Sequence, residues 1–353
     1  MKPDGKSGQV MFNNIQLLRA VAAAMVFFYH ADAHYQVLGG RFLLFSQFAS
    51  IGFSGVDIFF VISGFVVAHS TLDQARTLAN AWTFAKRRLL RIYLGYWPFF
   101  ALTLALSYIY SPSALPELDL LSSFFLTTID ARRMAVYVAW SLTFELLFYA
   151  IVTAAFGLPV RVVKPLVHVC GIGVALVLIL TFSTPHSSVL MFLSFFLEFL
   201  MGTMIYIHRE SLRSGLWIGP LLLAVFVAFA VGANLHATND SVRIFTFGVG
   251  ALALVMLALV FEQSRTLIAN KIWVALGDAS YTLYLVHPSL LTVLYCWGIR
   301  DFLAHQSAYL REAGFFLYLG LGLWVSQVLY VRIERPLYRW ASSSRRTVGD
   351  LRP

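Results

Sequence analysis

The chain has 353 residues, of which 59% are hydrophobic and 12% are charged, and its mean hydropathy is +0.75. Soluble domains carry about a quarter charged residues, so this composition excludes a soluble globular protein and predicts an integral membrane protein. The only two cysteines, Cys170 and Cys296, exclude a disulfide framework and a cysteine-based metal site. The net charge of +9 indicates basic cytoplasmic loops rather than nucleic-acid binding.

Ten apolar segments predict membrane-spanning helices, because a chain segment in lipid must satisfy its own backbone hydrogen bonds. They cover roughly residues 15–35, 48–71, 92–111, 134–156, 166–183, 188–207, 216–235, 243–261, 272–298 and 314–332. The sequence therefore predicts an all-α integral membrane bundle with short loops. A tail of residues 1–14 precedes the transmembrane domain 15–335, and a basic tail of residues 336–353 follows it.

The distribution of basic residues predicts the orientation of the bundle. With a cytoplasmic N-terminus, twenty of the 26 Lys and Arg residues fall on that side. The other side holds six, namely Arg41, Arg132, Arg133, Arg243, Arg300 and Arg311. Basic residues concentrate on the cytoplasmic side of membrane proteins, so we expect both termini in the cytoplasm of a multi-pass inner-membrane protein.

The first apolar segment, LLRAVAAAMVFFYHA, contains Arg19 and His30. Eleven residues make about three helical turns, so both side chains lie on one face, roughly 16 Å apart along the axis. Ionisable groups at membrane depth are costly and indicate function. Alternatively, Arg19 extends to the inner headgroups and His30 only hydrogen-bonds a neighbouring helix. His30 and His34 are four residues apart, but no third ligand has a suitable spacing, so no metal site is predicted.

Two carboxylates lie in later segments. Asp57, in GFSGVDIFFVISGF, falls near the depth of His30, where a carboxylate raises the basicity of an imidazole and suits a general base. Alternatively, Asp57 caps its own helix. In WSLTFELLFY, Ser141, Glu145 and Tyr149 share one helical face, so we expect Glu145 to face a cavity or to serve as a structural hydrogen-bond partner.

The segment LGDASYTLYLVHPSL contains Tyr281, Tyr284 and His287 at a spacing of three residues. This spacing places the three side chains near one face of a helix. His287 also falls at about the depth of His30, so we count it as a site candidate. The alternative is a polar anchor near the outer interface.

A basic cluster, KRRLLRIY, precedes the third segment. Lys86, Arg87, Arg88 and Arg91 place four cations within six residues, which is more than orientation needs. Arginine matches phosphate oxygens in a two-pronged geometry. We therefore expect a polyanionic donor to dock at this cluster with its reactive end inside the bundle. The alternative is that these residues only anchor the chain at the cytoplasmic surface.

The chain resembles the membrane-bound acyltransferase 3 family from about residue 13 to residue 340. The resemblance rests on six motifs in the same order: LRAVAAAMVFFYHA, GFSGVDIFFVISGF, RRLLRIYLGYW, WSLTFELLFY, LGDASYTLYLVHPS and IERPLYRW. It implies ten helices with both termini inside, and no bound cofactor. The donor would be acyl-CoA, usually acetyl-CoA, and the acceptor a hydroxyl of a bacterial surface carbohydrate.

The resemblance also suggests a branch and partners. The chain looks most like the single-domain members that acetylate exopolysaccharides and lipid-linked or lipo-oligosaccharide precursors. Further partners of such a protein would be the polysaccharide assembly machinery or a second copy of the chain.

The resemblance assigns roles to individual residues. Arg19 and His30 match the essential pair of the family, with His30 as the catalytic residue. Asp57, Glu145 and His287 match further motif residues near the site, and we expect Asp57 or Glu145 to orient His30.

Other positions would bind the donor or acceptor. Arg87, Arg88 and Arg91 match the arginine motif that the resemblance brings to the phosphates of CoA. The sequence departs from the family pattern at Leu94, where the family commonly has proline, and Pro98 follows four residues later. The remaining predicted binding residues are Ser141, Tyr149, Tyr281 and Tyr284, of which Tyr149 and Tyr284 are candidates to stabilise an oxyanion.

The sequence leaves the chemical route and two other functions open. His30 either removes the proton of the acceptor hydroxyl or accepts the acetyl group itself. A proton-coupled transporter or flippase of a glycan precursor would also place ionisable groups in the membrane. A non-enzymatic subunit of a polysaccharide assembly machine is the third possibility.

Overall fold

The structure is a computed structural model that describes residues 12–36, 49–184, 187–212, 214–235, 240–266, 268–298, 302–303 and 305–343. Every regular element in these ranges is helical, which confirms the predicted all-α fold. Residues 1–11 of the predicted N-terminal tail and residues 344–353 of the C-terminal tail lie outside the described residues, as do Arg41 and Arg300.

Twelve principal helices order the described chain. They are α1 (Asn13–Gln36), α2 (Gly55–Thr71), α3 (Leu78–Tyr110), α4 (Trp140–Ala155), α5 (Val160–Leu180), α6 (Ser188–Ile207), α7 (Ile218–Asn234), α8 (Val249–Ser264), α9 (Lys271–Asp278), α10 (Ser280–Cys296), α11 (Ala308–Leu329) and α12 (Arg335–Ser343). A π-helical turn, Ile244–Gly248, leads into α8, and a second, Tyr330–Glu334, joins α11 to α12.

Eight stretches of helix in the described chain are long and apolar enough to cross a membrane. They coincide with eight of the ten predicted segments, so the protein is a multi-pass membrane protein. The other two predicted segments correspond to α1 and to the pair α9–α10, which the chain divides at Ala279. These two contain Arg19, His30 and His287, and such polar residues lower the hydropathy of a helix that the bundle itself shelters. The count of ten therefore stays a prediction.

Close helix contacts hold the centre of the bundle together. Helix α1 packs against α2, α9 and α10. Helices α2 and α6 cross at Gly64 and Gly202, where an added Cβ would collide with the backbone of the opposite helix. Small residues allow helix backbones in a membrane to approach closely. This crossing fixes the position of α2, which carries Asp57 and Ser63.

The inner end of the bundle is the end at which α1 begins and α2 ends, and it is the predicted cytoplasmic side. The outer end is the opposite one.

Candidate functional site

A wide cavity of about 720 Å³ opens at the inner end, and we call it the arginine vestibule. Residues of α1, α2, α3, α9 and α12 line it. They include four arginines, Arg19, Arg87, Arg88 and Arg91. The basic cluster of α3 therefore lines a cavity together with Arg19 of α1, which the sequence could not place beside it.

A second, smaller cavity of about 140 Å³ lies deeper in the bundle, and we call it the inner cavity. Arg19, Arg88 and Arg91 line both cavities. The remaining wall of the inner cavity includes the predicted residues Ser141, Glu145, Tyr149, Tyr281 and Tyr284. The structure thus brings predicted site residues from four helices, α1, α3, α4 and α10, together around one small cavity.

Arg91 is held at the junction of the two cavities. Its Nη1 atom donates to Glu334 Oε1 at 2.6 Å, and Glu334 Oε2 accepts from Thr282 Oγ1 at 2.5 Å. The guanidinium also lies over the Tyr281 ring at 5.4 Å, and the Tyr281 hydroxyl donates to the carbonyl of Ile92 at 2.9 Å. A carboxylate that accepts two bonds fixes Arg91 in place.

Glu334 is a residue that the sequence reasoning missed. Its side chain is 2% exposed, whereas the side chain of Arg91 is 30% exposed. The only signal for it was its place in the IERPLYRW motif. A carboxylate in a basic, near-terminal segment does not reveal which helix it will meet.

Arg88 and Glu145 belong to a second set of contacts. Arg88 Nη2 donates to Ser70 Oγ at 3.1 Å, and its guanidinium lies over the Tyr149 ring at 5.3 Å. The Tyr149 hydroxyl donates to Glu145 Oε1, which also accepts from Ser63 Oγ at 3.3 Å. Glu145 therefore faces the cavity, as predicted, and accepts hydrogen bonds from two other residues of the cavity wall.

Arg19 stands apart from these pairs. Its hydrogen bond goes to Gln16 Oε1 at 3.4 Å, and within the described chain it makes no ion pair. The inner cavity has three guanidinium groups and one carboxylate, Glu145, in its wall, with Glu334 behind Arg91. This excess of positive charge suits an anionic ligand.

The two predicted histidines meet each other. His30 Nδ1 lies 3.2 Å from His287 Nε2 and 2.9 Å from the carbonyl of Val26. His287 Nδ1 lies 3.2 Å from the carbonyl of Leu283. A carbonyl oxygen can only accept, so in the neutral pair both Nδ1 atoms carry the proton. The one Nδ1–H of His30 is then shared between the carbonyl of Val26 and His287 Nε2, and the lone pair of His30 Nε2 is left available for chemistry.

The histidine pair lies just beyond the inner cavity. Tyr284, a residue of the cavity wall, has its ring centre 6.0 Å from that of His287. The Tyr284 hydroxyl donates to the carbonyl of Val138 at 2.7 Å and lies 2.8 Å from Ser141 Oγ. Neither His30 nor His287 lines the inner cavity, and the ring of Tyr284 is the contact between the cavity wall and the pair.

Asp57 has a different partner from the one expected. It accepts from Arg243 Nε at 2.9 Å and from Arg243 Nη2 at 2.7 Å, and its side chain is fully buried. The Arg243 guanidinium lies between the rings of Phe53 and Phe195, at 4.9 and 5.0 Å. Arg243 was predicted on the outer side, and its side chain extends from the end of its helix into the bundle.

The expected orienting group of His30 is therefore corrected. Asp57 and Glu145 make no hydrogen bond to His30 in the described part of the chain, because Arg243 engages the first and Tyr149 with Ser63 the second. His287 and a backbone carbonyl hold His30 instead.

Comparisons with known proteins identify the family of the chain. A family model described as an acyltransferase domain, that of acyltransferase 3, matches residues 12–331. The exopolysaccharide production protein ExoZ of Rhizobium meliloti (strain 1021) is 28% identical over 322 residues, which cover 85% of this chain and 94% of the relative. No solved structure matches the chain significantly. The chain belongs to the acyltransferase 3 family and is a multi-pass membrane acyltransferase.

Proposed function

We propose that this protein transfers an acetyl group from acetyl-CoA to a hydroxyl of an exopolysaccharide or of its lipid-linked precursor. The observation that carries the proposal is that the arginine vestibule and the inner cavity share Arg19, Arg88 and Arg91, and that the inner cavity ends at Tyr284, whose ring contacts His287 of the His30–His287 pair. The similarity to a protein named for exopolysaccharide production supports the acceptor class.

The charge and size of the two cavities suit the two ends of CoA. The phosphates of CoA would lie in the vestibule against Arg87 and Arg88, because guanidinium groups match phosphate oxygens. The inner cavity, at about 140 Å³, is too small for a nucleotide, and it would receive the acetyl end of the donor. Arg19 and Arg91 stand where that end would enter.

His30 is the group best placed to activate the acceptor. Its Nε2 lone pair would take the proton of the hydroxyl as the hydroxyl oxygen bonds to the thioester carbonyl carbon. The carbon–sulfur bond then breaks, and the CoA thiolate takes up the proton. The carbonyl of Val26 would stabilise the imidazolium through His30 Nδ1–H, and His287 would keep the ring oriented.

A covalent route uses the same lone pair. His30 Nε2 would attack the thioester carbonyl, release CoA thiolate and pass the acetyl group to the acceptor hydroxyl in a second step. Incubation with acetyl-CoA without acceptor distinguishes the routes: an acetyl mass on the peptide that contains His30 indicates the covalent one.

Mass spectrometry of surface glycans tests the function. Cells that lack the gene are complemented with the wild type, with His30→Ala or with His168→Ala, a histidine of α5 that contacts His208 at 2.8 Å, away from both cavities. We expect the acetyl mass on the glycan with the wild type and with His168→Ala. Loss of a general base costs about 10²–10⁴-fold in rate, so His30→Ala should lose the acetyl group at an unchanged membrane level. Near-normal acetylation in His30→Ala would contradict the assignment.

The transporter alternative makes a different prediction for the donor. A ligand that binds only the folded protein raises its thermal stability. We expect acetyl-CoA to raise the melting temperature of the purified protein, whereas a flippase of a glycan precursor has no site for CoA and should not respond.

A further inference from the structure

A third cavity, of about 120 Å³, lies between α2, α4, α5 and α6 near the inner end. We call it the lateral crevice, and its wall includes Ala68, Thr71, Ile151, Ala155, Leu166 and Phe199. It shares no lining residue with the arginine vestibule or with the inner cavity. The proposed donor path therefore does not account for it.

The wall of the lateral crevice offers almost no hydrogen-bonding group to a ligand. The Thr71 hydroxyl donates to the carbonyl of Val67 at 2.8 Å, and the Thr203 hydroxyl donates to that of Phe199 at 3.1 Å. Both hydroxyls thus donate to backbone carbonyls, Thr203 also to that of Gly64 at 3.4 Å, and not toward a ligand. Apart from Arg76 and Cys170, aliphatic and aromatic side chains make up the rest of the wall, which suits a hydrocarbon chain.

The lateral crevice opens toward the side of the bundle. Ile151 of α4 is 40% exposed and Leu166 of α5 is 43% exposed, although both line the crevice. Helix α5 packs chiefly against α6, so the consecutive helices α4 and α5 leave a gap between them. In a bilayer, exposed apolar residues of a spanning helix face lipid. An acyl chain can therefore enter from the membrane without passing through the site.

A cation with unpartnered donors stands at the inner rim of the crevice. Arg76, in the loop between α2 and α3, lines the crevice with its guanidinium 4.9 Å from the centre of the Phe156 ring. Its Nε and Nη2 atoms are buried and have no hydrogen-bond partner in the described part of the chain. Buried donors without an acceptor are rare and call for a ligand or water. A phosphate offers oxygens in the geometry that a guanidinium prefers.

Two further cations, Arg161 and Lys164, are exposed in the first turns of α5 at the same inner end of the bundle, although neither lines the crevice. Basic pockets between helices on the cytoplasmic side bind anionic lipid headgroups. The apolar wall and the lateral opening suit the acyl chain of a lipid, and Arg76 at the rim suits its phosphate.

We propose that the lateral crevice binds an anionic phospholipid of the inner leaflet, with one acyl chain between α4 and α5 and the phosphate on Arg76. The lipid would join the loop before α3 to α4, α5 and α6. It would thereby brace the helix that carries Arg88 and Arg91 without entering the site.

Native mass spectrometry of the purified full-length protein tests the charge requirement. The delipidated protein is titrated with palmitoyl-oleoyl phosphatidylglycerol or with the phosphatidylcholine of the same chains. One headgroup cation changes lipid affinity by about fivefold, so we expect the wild type to retain phosphatidylglycerol about fivefold more. Arg76→Gln should abolish this preference. Arg209→Gln is the matched control, because Arg209 also lies over an aromatic ring, that of Tyr206 at 4.0 Å, but lies outside the crevice.

A pair of steric variants tests the place of the acyl chain. Ala155→Phe fills the lateral crevice from its partly exposed wall, and Ala154→Phe adds the same ring to the neighbouring exposed residue outside it. We expect only Ala155→Phe to lose the retained phosphatidylglycerol. Equal retention of both lipids, unchanged preference in Arg76→Gln, or unchanged retention in Ala155→Phe would overturn the proposal. Displacement of the lipid by palmitoyl-CoA but not by acetyl-CoA would also overturn it, since the crevice would then be an acyl-donor pocket.

Discussion

Two of the arginine–carboxylate pairs in the described part of this bundle differ in what surrounds them. Arg91 and Glu334 pair at 2.6 Å toward the inner end, where Arg91 lines two cavities and stays 30% exposed. Arg243 and Asp57 pair at 2.7 Å, with Arg243 18% exposed between two phenyl rings and Asp57 fully buried.

The difference shows that a buried ion pair does not by itself mark a site. Asp57 receives three hydrogen bonds from Arg243, so little of either group is left for a ligand. Glu334 receives one bond from Arg91 and one from Thr282, and it leaves the rest of the Arg91 guanidinium facing the cavities. We therefore interpret the Asp57–Arg243 pair as an assembly element and the Arg91–Glu334 pair as part of the donor site.

The largest expected effect is on stability, when the Asp57–Arg243 pair is broken. Removal of one partner of a buried ion pair costs about 3–5 kcal/mol, because the other charge is left buried and unpaired. We expect Arg243→Gln to lower the free energy of unfolding by that amount, measured by denaturant or thermal unfolding in detergent. Arg132→Gln, a change at an exposed arginine, is the control and should have almost no effect.

The double variant sharpens this prediction. If the cost comes from an unpaired charge, Asp57→Leu combined with Arg243→Leu should destabilise less than the sum of the single changes. Additive losses would contradict the unpaired-charge explanation, and a raised KM for acetyl-CoA at unchanged stability would instead assign the pair to the donor site.

A smaller effect, on the KM for acetyl-CoA, is expected when the guanidinium of Arg91 is replaced by an ammonium group that keeps the charge. Arg91→Lys preserves a cation for Glu334 but loses the second donor and the planar stacking on Tyr281. A charge-assisted hydrogen bond contributes about 1.5 kcal/mol or more, so the KM for acetyl-CoA should rise about tenfold. The melting temperature without ligand should change little. An unchanged KM would indicate that Arg91 does not bind the donor and only anchors the chain at the cytoplasmic surface.

The smallest effect is expected at Glu334, which acts on the donor only through Arg91. Glu334→Gln keeps an acceptor for Thr282 but removes the charge that holds Arg91. We expect a rise in KM for acetyl-CoA of about threefold, since the bond from Arg91 to a neutral amide oxygen is weaker than its bond to a carboxylate. The value of kcat should stay the same. A lower kcat at constant KM would place Glu334 in the chemical step instead.

Periodicity predicted the faces of the site helices well. The shared face of Ser141, Glu145 and Tyr149 and that of Tyr281 and Tyr284 follow from the 3.6-residue repeat, and all five residues line the inner cavity. Local spacing is enough here because residues on one turn of one helix stay neighbours in any packing.

Pairing between distant segments was not predictable in the same way. The sequence pointed to Asp57 or Glu145 as the partner of His30, whereas His287 is its partner, 257 residues away in the chain. The shared depth of His30 and His287 was visible in the sequence, but depth does not say which helices are adjacent. The pairing of Arg243 with Asp57 was not predicted for a related reason, because Arg243 lies at the edge of its apolar segment and its long side chain reaches back into the bundle.

The sequence by itself determined that this chain is a helical membrane protein, which family it belongs to, and which face of each helix carries polar groups. These properties depend on composition, motif order and local helical repeat. The tertiary structure decided which of those faces meet, and so which carboxylate neutralises which arginine and which ring holds His30. That choice depends on backbone contacts between distant helices, such as the crossing at Gly64 and Gly202, where side-chain size rather than polarity selects the neighbour.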